Sequence, residues 1–224
     1  MDIHKPKAAH SLGEFAVEIG TIICGILIAL SLEQAVELIH NRQELTEARE
    51  AITQELSWDL TTLQIGAQQD ACADKRLDLL EAWADGKAQL ASAHLASMDN
   101  RPLMRNLRAT AWDIAKSGAV AAHMSVDERL AYAEIYENLA NQKEINNGQR
   151  AAWLAFGRYA GKTRLTPDEA RRLKEDVGTA RAAASGYRFN TPGLQDRLIR
   201  LGAVPGKITY PPGRGANDLC DPPK

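Results

Sequence analysis

The stretch EFAVEIGTIICGILIALSLE runs from Glu14 to Glu33, and its reading decides where the rest of the chain lives. Residues 19–32 carry no charge, and extending back to Ser11 gives a 22-residue segment interrupted only by Glu14 and Glu18. A membrane-crossing helix needs about 20 predominantly apolar residues. Three readings compete. A buried helix of a soluble protein would show polar residues every few positions, yet 19–32 has only Thr21 and Ser31. A signal peptide suits the lysines ahead of the run and Ala29-Leu-Ser31 as a cleavage site, but acids so close to the apolar core do not. A retained single transmembrane helix over residues 11–32 accounts for the pattern best.

The acids then need a place. A charged carboxylate in hydrocarbon is costly. Glu14 and Glu18 lie one helical turn apart near the amino-terminal end, at headgroup depth or facing a partner. On a helix, Glu14, Glu18, Thr21, Gly25 and Ala29 fall on one stripe at spacings of three and four. Its small members suit close packing against another membrane helix. Lys5 and Lys7 precede the span. Only Arg42 follows closely, among Glu33, Glu37, Glu44 and Glu47. This bias predicts a short cytoplasmic tail (residues 1–10), a bacterial inner-membrane location and a periplasmic main domain.

Beyond the span the helical pattern continues. Leu38, Leu45 and Ile52 recur every seven residues and Leu56 joins them, which predicts a stalk over 33–65 whose apolar face meets a partner helix or the chain's own domain. A break is expected at Gly66, then a helical domain over 66–185. Within it, helices are expected at about 71–96, at about 102–115, from the capping-box spacing Ser125-Val-Asp-Glu128 toward Tyr159, and from Thr166-Pro-Asp-Glu169 to about 184. Residues 186–224 are rich in Gly and Pro, which predicts one short helix (194–201) and an irregular tail. The expected fold is therefore all-α: one amino-terminal membrane helix, a stalk and an antiparallel helical bundle.

The composition supplies little chemistry. The 224 residues include 27 basic and 29 acidic side chains, a net charge of −2, so no basic excess argues for nucleic acid. No phosphate-binding loop, dinucleotide fingerprint or nucleophile elbow occurs. Glu37-Leu-Ile-His40 has the E-x-x-H spacing of di-iron bundles, but those sites need two such motifs. No metal, cofactor or catalytic residue is expected. Of three cysteines, Cys24 lies in the span, while Cys72 and Cys220 form one long-range disulfide or remain unrelated thiols. Trp58, Trp83, Trp112 and Trp153 read as core packing. Arg101, Arg105 and Arg108, spaced by four and three, read as a solvated helix face.

Ser11-Leu-Gly-Glu14, the run Ile22-Ile-Cys-Gly-Ile-Leu-Ile-Ala-Leu30 and the charged helix behind it resemble a group of small bacterial single-pass membrane proteins of unsettled function. The resemblance covers residues 11–56 and implies single-pass topology, with no catalytic residues. Those proteins often carry Asn-Trp after the span, where this chain has Ser31-Leu-Glu-Gln34. The expected role is a non-catalytic accessory or scaffold subunit. Its partners would be membrane lipid and either other integral membrane subunits or a second copy of the chain. The alternative is a periplasmic sensing or ligand-binding module that signals through a partner helix.

Overall fold

A computed structural model describes residues 12–90, 92, 95, 101–103, 106–207 and 219. Among them there are four α-helices, two short 3-10 turns and no strand. Helix α1 spans Leu12–Ala84, α2 Thr110–Ser117, α3 Val126–Ala155 and α4 Pro167–Arg200. The chain divides into two compact units, Met1–Glu47 and Ala48–Lys224. The first consists, over its described residues, of the amino-terminal part of α1. The second holds the rest of α1 and all the other elements.

Within the second unit, α1 and α3 run in the same direction. Arg49 on α1 bonds Glu128 on α3 (2.7 and 2.8 Å), and one to two turns on, Tyr136 bonds Glu55. Helix α4 runs against both. Arg181 reaches Glu81 and Asp78, Arg188 reaches Asp74 and Asp70, and Arg197 reaches Glu134 of α3. Between α1 and α3 the chain returns along α1: the amides of Leu103, Arg108 and Ala111 meet Gln69, Asp59 and Glu55 in turn, and Ala111 already belongs to the short α2.

The two long later helices each bury a single stripe at alternating spacings of four and three. On α4 it comprises Leu173, Val177, Ala180, Ala184, Tyr187, Thr191, Leu194 and Leu198. On α3 it includes Tyr132, Ile135, Leu139, Gln142, Asn146, Gln149 and Trp153. This is the period of a helix whose one face seats against its neighbours. Three consecutive members on α3 are amides, so a polar layer crosses the core. One end of the core packs Leu77, Leu80, Trp83, Trp153, Phe156 and Leu173 together, with Trp153 edge-on to Phe156 at 5.4 Å. At the other end, Trp112 lies 5.6 Å from Tyr132 and 5.9 Å from Tyr136. Trp83, Trp112 and Trp153 are thus core residues, and Trp58 is half-buried.

Local signals set several boundaries as expected. Thr166 and Glu169 form a full capping box with Pro167 in the first turn. The Ser125 hydroxyl accepts from the Glu128 amide, while the Glu128 carboxylate turns to Arg49 instead of closing a box. Asn146-Asn-Gly148 does not interrupt α3, which ends at Ala155 in a 3-10 turn, Phe156–Tyr159. Helices α1 and α4 end on Gly86 (φ 71) and Gly202 (φ 88). At each, an amide just beyond reaches back to close the last turn, Lys87 to Ala82 and Ala203 to Leu198.

Other boundaries differ from expectation. Helix α1 has no break at Gly66 and no separate helix starts at 71; it is continuous to Ala84, and the domain begins near Ala48 rather than 66. Gly66 serves close packing instead: a Cβ there would fall inside the Tyr187 phenol, whose hydroxyl donates to the Leu63 carbonyl at 2.8 Å. We therefore expect Gly66→Ala to cost about 1–3 kcal/mol in a urea titration, although alanine favours helix by about 1 kcal/mol. In a Tyr187→Leu background the same change should be neutral or stabilising. Helix α4 does not stop at 184 but continues through Ser185, Gly186 and Pro192 to Arg200. These three lie off its buried stripe, so apolar burial on the opposite face outweighs the proline's lost N–H. The expected helix over 102–115 begins only at Thr110. Arg101 and Arg108 precede it, and Arg105 lies outside the described residues.

Candidate functional site

Two features stand out, and each is described by itself. The first is the amino-terminal part of α1. An 18-residue window within this helix has mean hydropathy 2.3, and none of it is buried. Ile22, Ile23, Ile26, Leu27, Ile28 and Leu30 all have about half or more of their surface uncovered. By length and composition this helix is able to cross a membrane. Its hydroxyls need no outside partner: Thr21 donates to Val17 O (2.8 Å) and Ser31 to Leu27 O (2.7 Å). That closes the hydrogen bonding internally, as a hydrocarbon environment demands. Glu14, Glu18, Thr21, Gly25 and Ala29 are all exposed, and a Cβ at Gly20 or Gly25 would touch nothing within 4 Å. Cys24 is a free, exposed thiol. Further along, Leu38 is exposed and His40 contacts Glu44 at 3.0 Å.

The stalk positions separate. Leu38 and Leu45 fall in the first unit, exposed and half-buried. Ile52 and Leu56 are fully buried in the second. The lower half of the expected stalk face is therefore the domain's own core.

The second feature is a row of polar side chains on the domain part of α1. Most of their partners are main-chain atoms outside α3 and α4: amides of the segment before α2, of its first turn and of the chain after α4, and the Leu219 carbonyl. Glu55 is 7% exposed; both its oxygens accept from the Ala111 amide (3.1 and 3.2 Å), and Oε1 also accepts from the Tyr136 hydroxyl (2.7 Å). Asp59 is fully buried and accepts from the Arg108 amide at 3.0 Å. Gln69 accepts from the Leu103 amide at 2.6 Å. Ser57 and Thr61 accept from Val204 and Gly206, and Arg76 donates to Leu219 O at 3.2 Å. Buried main-chain groups must be paired somewhere. Here α1 supplies the partners that neighbouring secondary structure does not. Glu55 also stands in for a helix cap: Ala109, at the start of α2, offers no capping side chain, and the carboxylate reaches the first-turn amide from another helix.

Burial dominates the electrostatics of this row. It pushes the Asp59 carboxyl up from 3.8 to about 7; the Arg108 amide opposes this and the nearby Glu55 adds to it. Asp59 Oδ2 has no protein partner among the described residues. The Tyr136 hydroxyl is raised first by burial, then by its bond to Glu55. An acid whose folded pKa exceeds its unfolded value stabilises the protonated fold, so this group's contribution declines as pH rises from about 4 to about 7. We expect Asp59→Asn to gain about 1–3 kcal/mol at pH 8 and less at pH 5, by urea titration at both values.

No protein family, curated protein or solved structure was found to match the chain. The site therefore stands on its own geometry. Among the described residues no group of three or more His, Cys, Asp or Glu side chains is placed to hold a metal. Cys72 is disulfide-bonded. Cys220, the other half of the expected pair, lies outside the described residues, while its neighbour Leu219 is buried in the same core cluster as Cys72. Arg108 is exposed but precedes α2 rather than lying on a helix face, and its guanidinium stacks over the Trp58 ring at 3.8 Å. The carboxylates of the α1 row gave no separable sequence signal, because Glu55 and Asp59 sit among many acids and only the returning chain makes them interior.

Proposed function

We propose that this chain is a non-catalytic, membrane-anchored accessory or scaffold subunit of a larger membrane protein complex. The observation that carries the reading is the uncovered apolar helix joined to a folded domain: an 18-residue window at mean hydropathy 2.3 with no part buried. Residues 11–32 form the span, and the chain from Ala48 on holds a helical domain in which α4 runs against α1 and α3; the Gly/Pro-rich tail expected after 207 lies, apart from Leu219, outside the described residues. The lysines before the span and the acids after it support a cytoplasmic amino terminus and a periplasmic domain, in a bacterial inner membrane. Membership in the group of small single-pass membrane proteins that the amino-terminal half resembles fits this topology.

The stripe Glu14, Glu18, Thr21, Gly25 and Ala29 is the surface proposed to face a partner helix. In lipid a stripe with two carboxylates is costly unless it meets headgroups or protein. Purification from native membranes in mild detergent tests the reading. A stoichiometric integral membrane partner is the expected result, lost on Gly25→Leu. Recovery only as a monomer or self-dimer contradicts the accessory role.

The alternative, a ligand-binding module acting through a partner helix, is favoured by one observation. An amide-lined cleft opens between α3 and α4, on the domain's own surface.

A further inference from the structure

Residues 106–117, which comprise α2 and the chain leading into it, are held on α1 by little burial. Only Trp112 and Ala115 of α2 are buried, and its start at Ala109 has no capping side chain. At 8 residues α2 is too short to persist without its neighbours. Two carboxylates one helical turn apart on α1 fasten it. Asp59 accepts from the Arg108 amide at 3.0 Å, and Glu55 accepts from the Ala111 amide at 3.1 Å. An open cleft of about 590 Å³, lined by Glu55, Trp58, Arg108, Ala111, Ile114 and Lys207, among others, brings the solvent boundary up to this fastening. Asp59 itself stays fully buried.

The two fastenings are unlike. Glu55 Oε1 has a second donor, the Tyr136 hydroxyl at 2.7 Å. Asp59 has the Arg108 amide, and its Oδ2 has no protein partner among the described residues. An ionised Asp59 is therefore badly placed, in a dry site with one oxygen unpaired and Glu55 one turn away. The groups around it do not offset this. From the chain before α2, the Arg108 guanidinium favours the ionised form, but it is exposed and lies over the Trp58 ring. From α3, the Tyr136 hydroxyl is turned to Glu55. The buried stripe of α4 carries no ionisable group beyond Tyr187, and Lys207 after α4 is exposed. Burial is the largest influence and holds the Asp59 carboxyl at about 7 instead of 3.8.

Lifting residues 106–117 lets water reach Asp59 and returns it to the ordinary carboxylate range. The protonated acid favours the docked state and the ionised acid favours the lifted one. The lifted population therefore rises about tenfold per pH unit from about 4 to about 7, then levels off. We propose that Asp59 is the pH-sensitive latch of a strap: residues 106–117 lie docked on α1 while its carboxyl is protonated, and lift locally, with α1, α3 and α4 intact, as it ionises. The proposal does not rest on the membrane anchor or on which compartment holds the domain.

Hydrogen exchange of the full chain in detergent, followed by NMR from about pH 5 to 8 with each rate corrected for its intrinsic pH dependence, tests the latch. Protection at the Arg108 and Ala111 amides should fall on the order of 100-fold across this range. It should be indifferent to dilute urea, the mark of a local opening. The Ala180 and Leu198 amides of α4 should remain at least about tenfold better protected and weaken with urea. In Asp59→Asn, whose side chain cannot ionise, protection at Arg108 and Ala111 should stay flat with pH. Three results overturn the proposal: flat protection in the wild type, the same pH slope in Asp59→Asn, or exchange of Arg108 and Ala111 only together with Ala180 and Leu198. The first and last need no variant.

Discussion

Reducing the disulfide at Cys72, or replacing Cys72 with serine, is expected to lower the stability of the domain by about 2–5 kcal/mol. For a chain of this size that corresponds to a fall of roughly 5–15 °C in Tm. Cys72 is disulfide-bonded, Cys24 is free, and the chain's remaining cysteine is Cys220. A bond between Cys72 and Cys220 closes most of the domain into one loop, so the unfolded chain loses much of its freedom. Leu219 contributes as well: its side chain is 1% exposed and its carbonyl accepts from Arg76, one turn beyond Cys72. Urea titration of wild type, Cys72→Ser, Cys220→Ser and the double variant gives the assignment directly. Each single change should cost as much as the pair. Costs that add, or a Cys220→Ser variant of wild-type stability, would show that Cys220 is not the partner.

Glu55→Ala should be as damaging, about 2–5 kcal/mol. It removes the acceptor for both the Ala111 amide and the Tyr136 hydroxyl, and each buried donor left unpaired costs about 1–3 kcal/mol. Glu55→Gln keeps one acceptor oxygen and should cost less than half as much. The loss is local as well as global. Helix α2 spans Thr110–Ser117, too short to persist without its packing and its borrowed cap. Hydrogen exchange at Ala111 and Arg108 should therefore accelerate in Glu55→Ala under native conditions. Unchanged protection at Ala111 would mean that the carboxylate does not hold α2.

How much of this was legible in the sequence varies with the kind of signal. The caps at Ser125 and Thr166 are written locally and stand where the spacing predicts, and the apolar run before Glu33, equally local, forms a helix long and apolar enough to cross a membrane. Gly66 and the Gly/Pro texture after Ser185, Pro192 included, are equally local signals that point to boundaries, yet the helix continues through each. Tertiary contacts decide both: Gly66 makes room for Tyr187, and Pro192 sits off a stripe that runs unbroken from Leu173 to Leu198. That four-and-three stripe is itself visible in the sequence and would have corrected the reading of α4, had periodicity been weighed above the Gly/Pro punctuation. No such remedy exists for Glu55, Asp59 and Gln69. Their partners are main-chain amides, which carry no sequence signature. For the same reason the amide cleft was not foreseen, since Asn138, Asn141 and Gln142 are ordinary helix-surface residues until α4 closes over one of them.

The central claim is that residues 11–32 hold the chain in a membrane. Alkaline carbonate extraction of native membranes tests it most directly, comparing the full chain with the variant Ile22→Arg/Ile26→Arg. Arginine at the centre of a span costs about 2.5–3.5 kcal/mol by insertion scales, so two should defeat it. The account predicts that the full chain remains in the membrane pellet and that the double-arginine variant is released with its domain folded. Release of the unaltered chain into the supernatant would contradict it.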